Sequence, residues 1–122
     1  MRREVESRTR AMSAAFARTD MRAVAAFYAD DGEIYTPGGA VIRGRRAIDR
    51  FWDRIQHPKS WTMTTILFGG STDEPHQLVE SELVHEDDSS RSVSRVYCLF
   101  IWQRGTDGKL RVRVDMFTPI HD

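Results

Sequence analysis

Apolar residues in the first half of the chain recur at helical spacing. This pattern predicts a first helix over residues 3–17, a second over roughly 20–29 and a third that begins after Gly44. The apolar faces of the three helices are formed by Val5, Met12, Phe16, Met21, Val24, Phe27, Tyr28, Ile48, Phe51, Trp52 and Ile55. The run D-D-G at 30–32 is expected to end the second helix, with its glycine at positive φ.

The apolar period falls to two after the third helix, which is typical of strands. The predicted strands are 33–36, 61–68, 77–86, 92–103 and 110–118. Residues 104–108 contain the dipeptide D-G and are expected to form a hairpin turn between the last two strands. Three helices followed by strands indicate an α+β fold, and the length of 122 residues indicates a single domain over 1–122.

The strand at 93–102 is apolar on both faces. One face carries Val96, Cys98, Phe100 and Trp102, and the other carries Tyr97, Leu99 and Ile101. Three helices can cover only one face of such a sheet, so a second copy of the chain is expected to cover the outer face in a homodimer. On the last strand, the residues expected to face the partner are Val112, Val114 and Met116, and those expected to face the helices are Arg113, Asp115 and Phe117.

The charge balance argues against nucleic acid as a partner. The chain has 18 Lys and Arg against 18 Asp and Glu, whereas phosphate binding requires a basic surplus. Its single cysteine, Cys98, excludes an internal disulfide. Neither a C-x-x-C nor an H-E-x-x-H motif is present, and no metal site or cofactor is predicted. No apolar run approaches the roughly 20 residues of a membrane span, and the charged N-terminus lacks the apolar segment of a signal peptide. We therefore predict no membrane partner and a cytoplasmic location.

The last strand places a carboxylate and a guanidinium two residues apart on its expected inward face. Asp115 and Arg113 each need a partner or a ligand there, since burying either charge alone is costly. The alternative is that they pair with each other or with groups on the helices and only close the fold. Glu80 and Glu82 share one face of the strand at 77–86, which is either a solvated edge or a surface that looks into the pocket. An inward Glu82 near Asp115 and an arginine would separate the pKa values of the two acids and provide an acid and a base.

Three stretches carry a resemblance to a known family. They are F-Y-A-D-D-G, then E-I-Y-T-P-G-G, then G-R-R-A-I-D-R-F-W, all within residues 27–52. The chain resembles the nuclear transport factor 2-like superfamily, and within it the SnoaL-like branch of polyketide cyclases, ketosteroid isomerases and limonene-type epoxide hydrolases. The resemblance implies a cone-shaped α+β barrel, with three N-terminal helices packed on a curved, mainly antiparallel sheet, and dimers formed sheet to sheet.

The resemblance also implies roles for individual residues. Asp115 matches the acid–base aspartate on the last strand of the epoxide hydrolases and the inward carboxylate of the cyclases. Glu82 falls near the second aspartate of the hydrolases, but Glu80 stands where their arginine would be. Arg113 or Arg95 is then left to supply the cation.

The match to ketosteroid isomerases fails at their working residues. Thr36 precedes Pro37 where those enzymes carry the proton-shuttling aspartate, and Met12 stands near the place of their oxyanion tyrosine. Their second acid falls near Cys98 or Leu99. The chain is therefore not expected to isomerise ketosteroids by that mechanism.

The resulting prediction is a cofactor-independent enzyme that does acid–base chemistry on a small, largely apolar molecule. The predicted catalytic residues are Asp115, Arg113 and Glu82. The predicted substrate-binding residues are Tyr28, Tyr35, Phe51, Trp52, Phe68, Tyr97 and Phe117, although the tyrosines fit core packing equally well. The alternative is a non-catalytic ligand-binding or dimeric assembly domain of the same fold, in which Asp115 and Arg113 form a closed ion pair without a cavity beside them.

Overall fold

The computed structural model describes residues 1–121 and shows three helices packed on a six-stranded sheet. The helices are α1 (Arg2–Ala17), α2 (Met21–Ala25) and α3 (Arg45–Asp53). The strands are β1 (Tyr28–Tyr35), β2 (Val41–Arg43), β3 (Pro58–Gly70), β4 (Pro75–Glu86), β5 (Arg91–Arg104) and β6 (Leu110–Pro119). The predicted α+β class is confirmed, and the three helices and five predicted strands occur in the expected order, but β2 was not predicted.

The sheet has the strand order β2-β1-β6-β5-β4-β3 and curves around the helices without closing. Every neighbouring pair is antiparallel except β1 with β6. The core lies between the helices and the inner face of the sheet, where Phe16, Tyr28, Phe100 and Trp102 are fully buried. The sequence left open which apolar face of β5 is the inner one, and the structure shows that it is the face of Val96, Cys98, Phe100 and Trp102, which are buried.

The second helix is much shorter than predicted, because the chain turns into β1 at Tyr28. The Arg45 guanidinium holds this junction by donating to the backbone carbonyl oxygens of Ala25 and Tyr28. Gly32 lies inside β1 and not at a helix end, so the expectation of a positive φ there is wrong. It is required for close approach instead, since a Cβ at this position would lie 2.9 Å from the carbonyl oxygen of Ala29.

One irregularity in β6 decides which of its side chains face the helices. Consecutive residues of β5 pair with Val112 and Val114, so Arg113 is the extra residue of a β-bulge. The bulge reverses the alternation, so that both Val112 and Asp115 are buried while Met116 is 47% exposed. The expected orientation is confirmed for Asp115 and Met116. It is wrong for Val112, which lies in the core, and for Arg113, which lies outside it.

The outer face of the sheet carries an apolar row across four strands. Cross-strand pairs join Leu67 to Leu78, Leu78 to Leu99 and Leu99 to Met116. Both ends of the row are open, with Leu67 62% and Met116 47% exposed. Leu99 and Met116 of this row are among the residues on which the homodimer prediction was based, whereas Val112, also expected to face the partner, lies in the core. In the described part of the chain, no helix combines the length and the apolar character needed to cross a membrane.

Candidate functional site

A cavity of about 470 Å³ opens between α3, the inner face of strands β3 to β6 and the segment that follows β6. Its buried end is formed by Trp52, Trp61, Val96, Cys98 and Asp115. Its exposed end is formed by Ser94, Arg95, Pro119 and His121. The cavity therefore leads from solvent to a mainly apolar wall, where Asp115 is the one carboxyl group contributed by residues 1–121.

Asp115 reaches this wall because the bulge at Arg113 turns it inward. Asp115 as a residue is 4% exposed, and its Oδ2 accepts a hydrogen bond of 2.7 Å from the Tyr28 hydroxyl. Its Oδ1 has no hydrogen-bond partner within residues 1–121. Burial raises the pKa of Asp115 to about 7, and the hydrogen bond from Tyr28 offsets part of that rise. Near neutral pH the group is thus divided between its acid and base forms.

Tyr28 lies behind the carboxyl group and is fully buried. Burial raises the pKa of its hydroxyl well above the usual value, and the neighbouring Asp115 charge adds to that effect. The Tyr28 hydroxyl therefore stays protonated at neutral pH. It serves as a fixed donor that leaves Asp115 Oδ1 as the atom on the carboxyl group with unused hydrogen-bonding capacity.

Aromatic rings form the apolar part of the wall. Trp52 and Trp61 stack with their ring centroids 5.4 Å apart and an interplanar angle of 28°. Phe51 meets Trp52 edge-on at 5.4 Å, and Phe16 meets Trp61 edge-on at 5.7 Å. Because the rings fix one another from both sides, this wall is held in place before any ligand enters.

Two of the three predicted catalytic residues lie outside the cavity. Arg113 donates to Glu33 at 3.1 Å on the other face of the sheet, because the bulge turns its side chain outward. Glu82 is exposed, since the inner face of β4 is taken by Gln77 and Ser81. The structure brings neither side chain to Asp115, which stands at the cavity without Arg113 and without a second predicted acid.

The predicted substrate-binding residues divide in the same way. Phe51, Trp52 and Phe117 line the cavity, and Tyr28 contacts it through Asp115. The cavity is not lined by the three remaining predicted residues, which are Tyr35, Phe68 and Tyr97. Tyr35 lies beside Met116 on the outer face, Tyr97 is 39% exposed there, and Phe68 packs against the core at the far end of β3.

Several lining residues were not among the predicted site residues. Trp61, Leu83, His85 and Val96 lie on β3, β4 and β5, where strand alternation gives the face but not the position of the cavity along the strand. Arg95, which the sequence analysis offered as a source of positive charge, does line the exposed end and donates to Glu80 at 2.9 Å.

Residues 1–121 give little support for a cysteine nucleophile or for a metal-ion site. Burial raises the pKa of the Cys98 thiol far above its ordinary value, so the thiolate that a nucleophile requires is scarce. Within residues 1–121, no three side chains of His, Cys, Asp or Glu are grouped in a way that could hold a metal ion.

The family comparison assigns the class of protein that this fold and cavity define. The model of the SnoaL-like domain matches residues 9–113, and the chain belongs to that family. No curated protein matches the chain.

Solved structures resemble the chain over nearly its whole length. A ketosteroid isomerase-like protein from Erwinia carotovora atroseptica superposes with a TM-score of 0.81 at 18% identity, covering 98% of this chain and 95% of that one. A protein of unknown function from Mycobacterium tuberculosis gives 0.83 at 16% identity, covering 98% and 71%. An NTF2-like protein with a cystatin-like fold from Novosphingobium aromaticivorans gives 0.73 at 16% identity, covering 98% and 81%. These likenesses establish the fold.

Proposed function

We propose that the protein is a cofactor-independent enzyme that moves protons on a small, largely apolar molecule, with Asp115 as the acid–base group. The observation that carries this proposal is a nearly fully buried carboxyl group, with a pKa of about 7, at the wall of an open cavity. A general acid–base group works best when its pKa lies near the operating pH. A carboxyl group meets that condition only when its environment raises the pKa, as burial does here.

The walls indicate the character of the substrate. Phe51, Trp52, Trp61 and Phe117 provide apolar and aromatic surface, and the volume of about 470 Å³ lies in the range of ordinary small-molecule sites. A molecule that fits these walls has a mainly apolar body and few polar groups.

The branch of chemistry that we favour is isomerisation or cyclisation. Epoxide hydrolysis by two acids and a cation needs a second acid at the cavity, whereas Glu82 is exposed on the outer face. Of the two candidate cations, Arg113 is paired with Glu33, and Arg95 lies at the exposed end of the cavity. A single carboxyl group can take a proton from one atom of a substrate and return it to another. That exchange needs no second acid and leaves the enzyme unchanged after each turnover.

A non-catalytic binding domain is the second candidate. Its expected mark was a closed Asp115–Arg113 ion pair without a cavity. Instead, Asp115 is bonded to Tyr28, and the cavity lies beside it. This arrangement favours the enzyme, because an unpaired buried carboxyl group is costly to a domain that only binds or assembles.

The test incubates the protein in heavy water with a panel of small apolar ketones and cyclisable polyketides. Mass spectrometry then measures the rate at which each small molecule exchanges hydrogen for deuterium. The Asp115→Asn variant is expected to lose about a hundredfold to ten-thousandfold in rate. Glu82→Gln makes the same chemical change on the outer face and should leave the rate as it is. Equal rates for wild type and Asp115→Asn would remove Asp115 from the mechanism.

We also propose a homodimer formed through the apolar row of Leu67, Leu78, Leu99 and Met116. The support is that the row is continuous across the sheet and open at both ends. Light scattering should give twice the monomer mass, and Met116→Asp should give the monomer because it places a charge in the interface. A wild-type monomer at all concentrations contradicts the dimer.

A further inference from the structure

The imidazole ring of His85 lines the cavity and has no part in the acid–base role of Asp115. It lies on β4, on the same face as Ser81 and Leu83. Its Nδ1 is 3.1 Å from the backbone carbonyl oxygen of Gln56. Since a carbonyl oxygen only accepts hydrogen bonds, Nδ1 carries the hydrogen of this contact. In the neutral ring, Nε2 is therefore the acceptor.

The His85 ring is held in one orientation before any ligand enters. The Gln56 carbonyl oxygen fixes one ring nitrogen, and Phe16 meets the ring edge-on, with 5.9 Å between centroids and an interplanar angle of 78°. Within residues 1–121, Nε2 has no hydrogen-bond partner. The cavity wall thus includes one oriented acceptor whose capacity is unused.

Ser94 adds a hydroxyl group to the same part of the wall. The register of β4 with β5 pairs Leu83 with Ser94 and His85 with Ser92. Ser94 is therefore the diagonal neighbour of His85, and it also lines the cavity. Its hydroxyl can both donate and accept. Together, His85 and Ser94 form a polar patch at the cavity.

This patch lies away from the carboxyl group of Asp115. His85 pairs with Ser92 near the start of β5, whereas Asp115 pairs with Phe100 in the second half of that strand. Ser94 belongs to the exposed end of the cavity and Asp115 to its buried end. A ligand that reaches both places needs a polar group at each end and an apolar body between them.

We propose that His85 Nε2 accepts a hydrogen bond from a neutral hydroxyl group of the ligand, with Ser94 as the second contact. The ligand class is an alcohol or a phenol with an apolar body. A hydroxyl suits both side chains, because it donates to Nε2 and accepts from Ser94. An ammonium group suits them less well, since the apolar walls penalise its charge. This inference rests on the proposed function, because it places the hydroxyl on the substrate of Asp115, but binding alone tests it.

The test separates the acceptor from the structural contact of the same ring. In His85→Asn, the side-chain amide N–H takes the place of Nδ1–H toward Gln56, and the acceptor at Nε2 is lost. His76→Asn is the matched control, because His76 is exposed and does not line the cavity. The probes are 2-naphthol and 2-methoxynaphthalene, an ether that cannot donate, and calorimetric titration gives each Kd.

The wild type should bind 2-naphthol about tenfold more tightly than 2-methoxynaphthalene, which is the effect of one hydrogen bond. The preference should disappear in His85→Asn and remain in His76→Asn. Nitrogen NMR of the ligand-free protein should show the neutral His85 ring with its hydrogen on Nδ1. The opposite tautomer would remove the acceptor and overturn the proposal.

The proposal is also overturned if neither probe binds, if both bind equally to the wild type, or if the preference survives in His85→Asn. These results are distinct from those that decide the proposed enzyme. An Asp115→Asn variant that keeps the preference for 2-naphthol but has lost proton exchange supports both ideas. Wild-type proton exchange without that preference supports the enzyme and rejects the hydroxyl site.

Discussion

The carboxyl groups of Glu33 on β1 and Asp115 on the neighbouring β6 lie in opposite environments. Glu33 on β1 pairs in register with Val114 on β6, immediately before Asp115, but it faces outward. It accepts from Arg43 at 2.6 Å and from Arg113 at 3.1 Å, and these hydrogen bonds lower its pKa. Asp115 faces inward, has Tyr28 as its hydrogen-bond donor, and has a pKa raised to about 7 by burial.

This contrast shows how one sheet keeps the charged groups that stabilise the fold on its outer face and the carboxyl group proposed for catalysis on its inner face. The bulge puts Arg113 on the outer face, where it helps to satisfy Glu33, and it turns Asp115 toward the cavity. A cation beside Asp115 would favour its ionised form and lower its pKa. Keeping Arg113 on the outer face therefore helps the inward carboxyl group to give and take protons near neutral pH.

The largest expected effect concerns stability against pH. Asp115 has a folded-state pKa of about 7, above its unfolded value, so the folded state holds the proton more tightly. Its contribution is most favourable below the unfolded pKa and falls as pH rises toward 7, by roughly 4 kcal/mol in total. Asp115→Asn carries no charge, so its stability relative to wild type should rise by about that amount between about pH 4 and pH 8. Urea unfolding across that range measures it.

The matched control is Glu33→Gln, which should behave with the opposite sign. The lowered pKa of Glu33 means that its ion pairs stabilise the fold above its unfolded pKa and are lost as pH falls. That variant should be less stable than wild type at neutral pH and equal to it in acid. If both variants gave the same pH dependence, the contrast between the two faces would be wrong.

A change at Gly32 tests the close approach of β1 to β6 on which the contrast depends. A Cβ there would lie 2.9 Å from Ala29 O and 3.1 Å from Val112 O, both backbone atoms that cannot yield easily. Gly32→Ala should cost about 2 kcal/mol in the free energy of unfolding. Gly38→Ala is the control, since no atom lies within 4 Å of the added carbon. Chemical denaturation that shows equal stability for the two variants would contradict this packing.

Removing the Tyr28 hydroxyl tests how the environment of the inward Asp115 sets its pKa. Tyr28→Phe takes away the donor that favours the ionised carboxyl group, so the pKa of Asp115 should rise further above about 7. The unsatisfied Oδ2 should cost about 1 kcal/mol of stability. Carboxyl-carbon NMR reports the pKa, and an unchanged or lower value would count against the hydrogen bond.

The smallest effect is expected from Arg113→Ala. Because the guanidinium lies on the outer face with Glu33, its loss should raise the pKa of Glu33 toward the ordinary value and leave that of Asp115 where it is. The same NMR titration measures both groups at once. A clear rise in the Asp115 pKa would mean that Arg113 acts across the sheet.

Local sequence pattern was enough for most of the fold. The first helix, the switch to strands and the hairpin at 104–108 follow from periods and turn residues, which act over short stretches of chain. The second helix was predicted too long because F-Y-A-D-D-G fits a helix end, whereas tertiary contacts with β6 draw Tyr28 into a strand. The short β2 was missed, since three residues carry almost no period.

The candidate site was harder to predict because it depends on pairing between distant strands. Asp115 was placed inward correctly, but the bulge that excludes Arg113 arises only in the register with β5 and leaves no mark in the sequence of β6. The face of β4 was also ambiguous, because its buried side carries the polar residues Gln77 and Ser81. Because polar residues occur on both faces of β4, the sequence did not show that Glu82 points outward.

One measurement tests the central claim most directly, namely the titration of the Asp115 carboxyl carbon in the folded wild-type protein by NMR. The structure predicts a midpoint near 7, because the group is buried at the cavity with Tyr28 as its donor. A midpoint near 4, the ordinary value for an aspartate in water, would contradict both its burial and its role as the acid–base group.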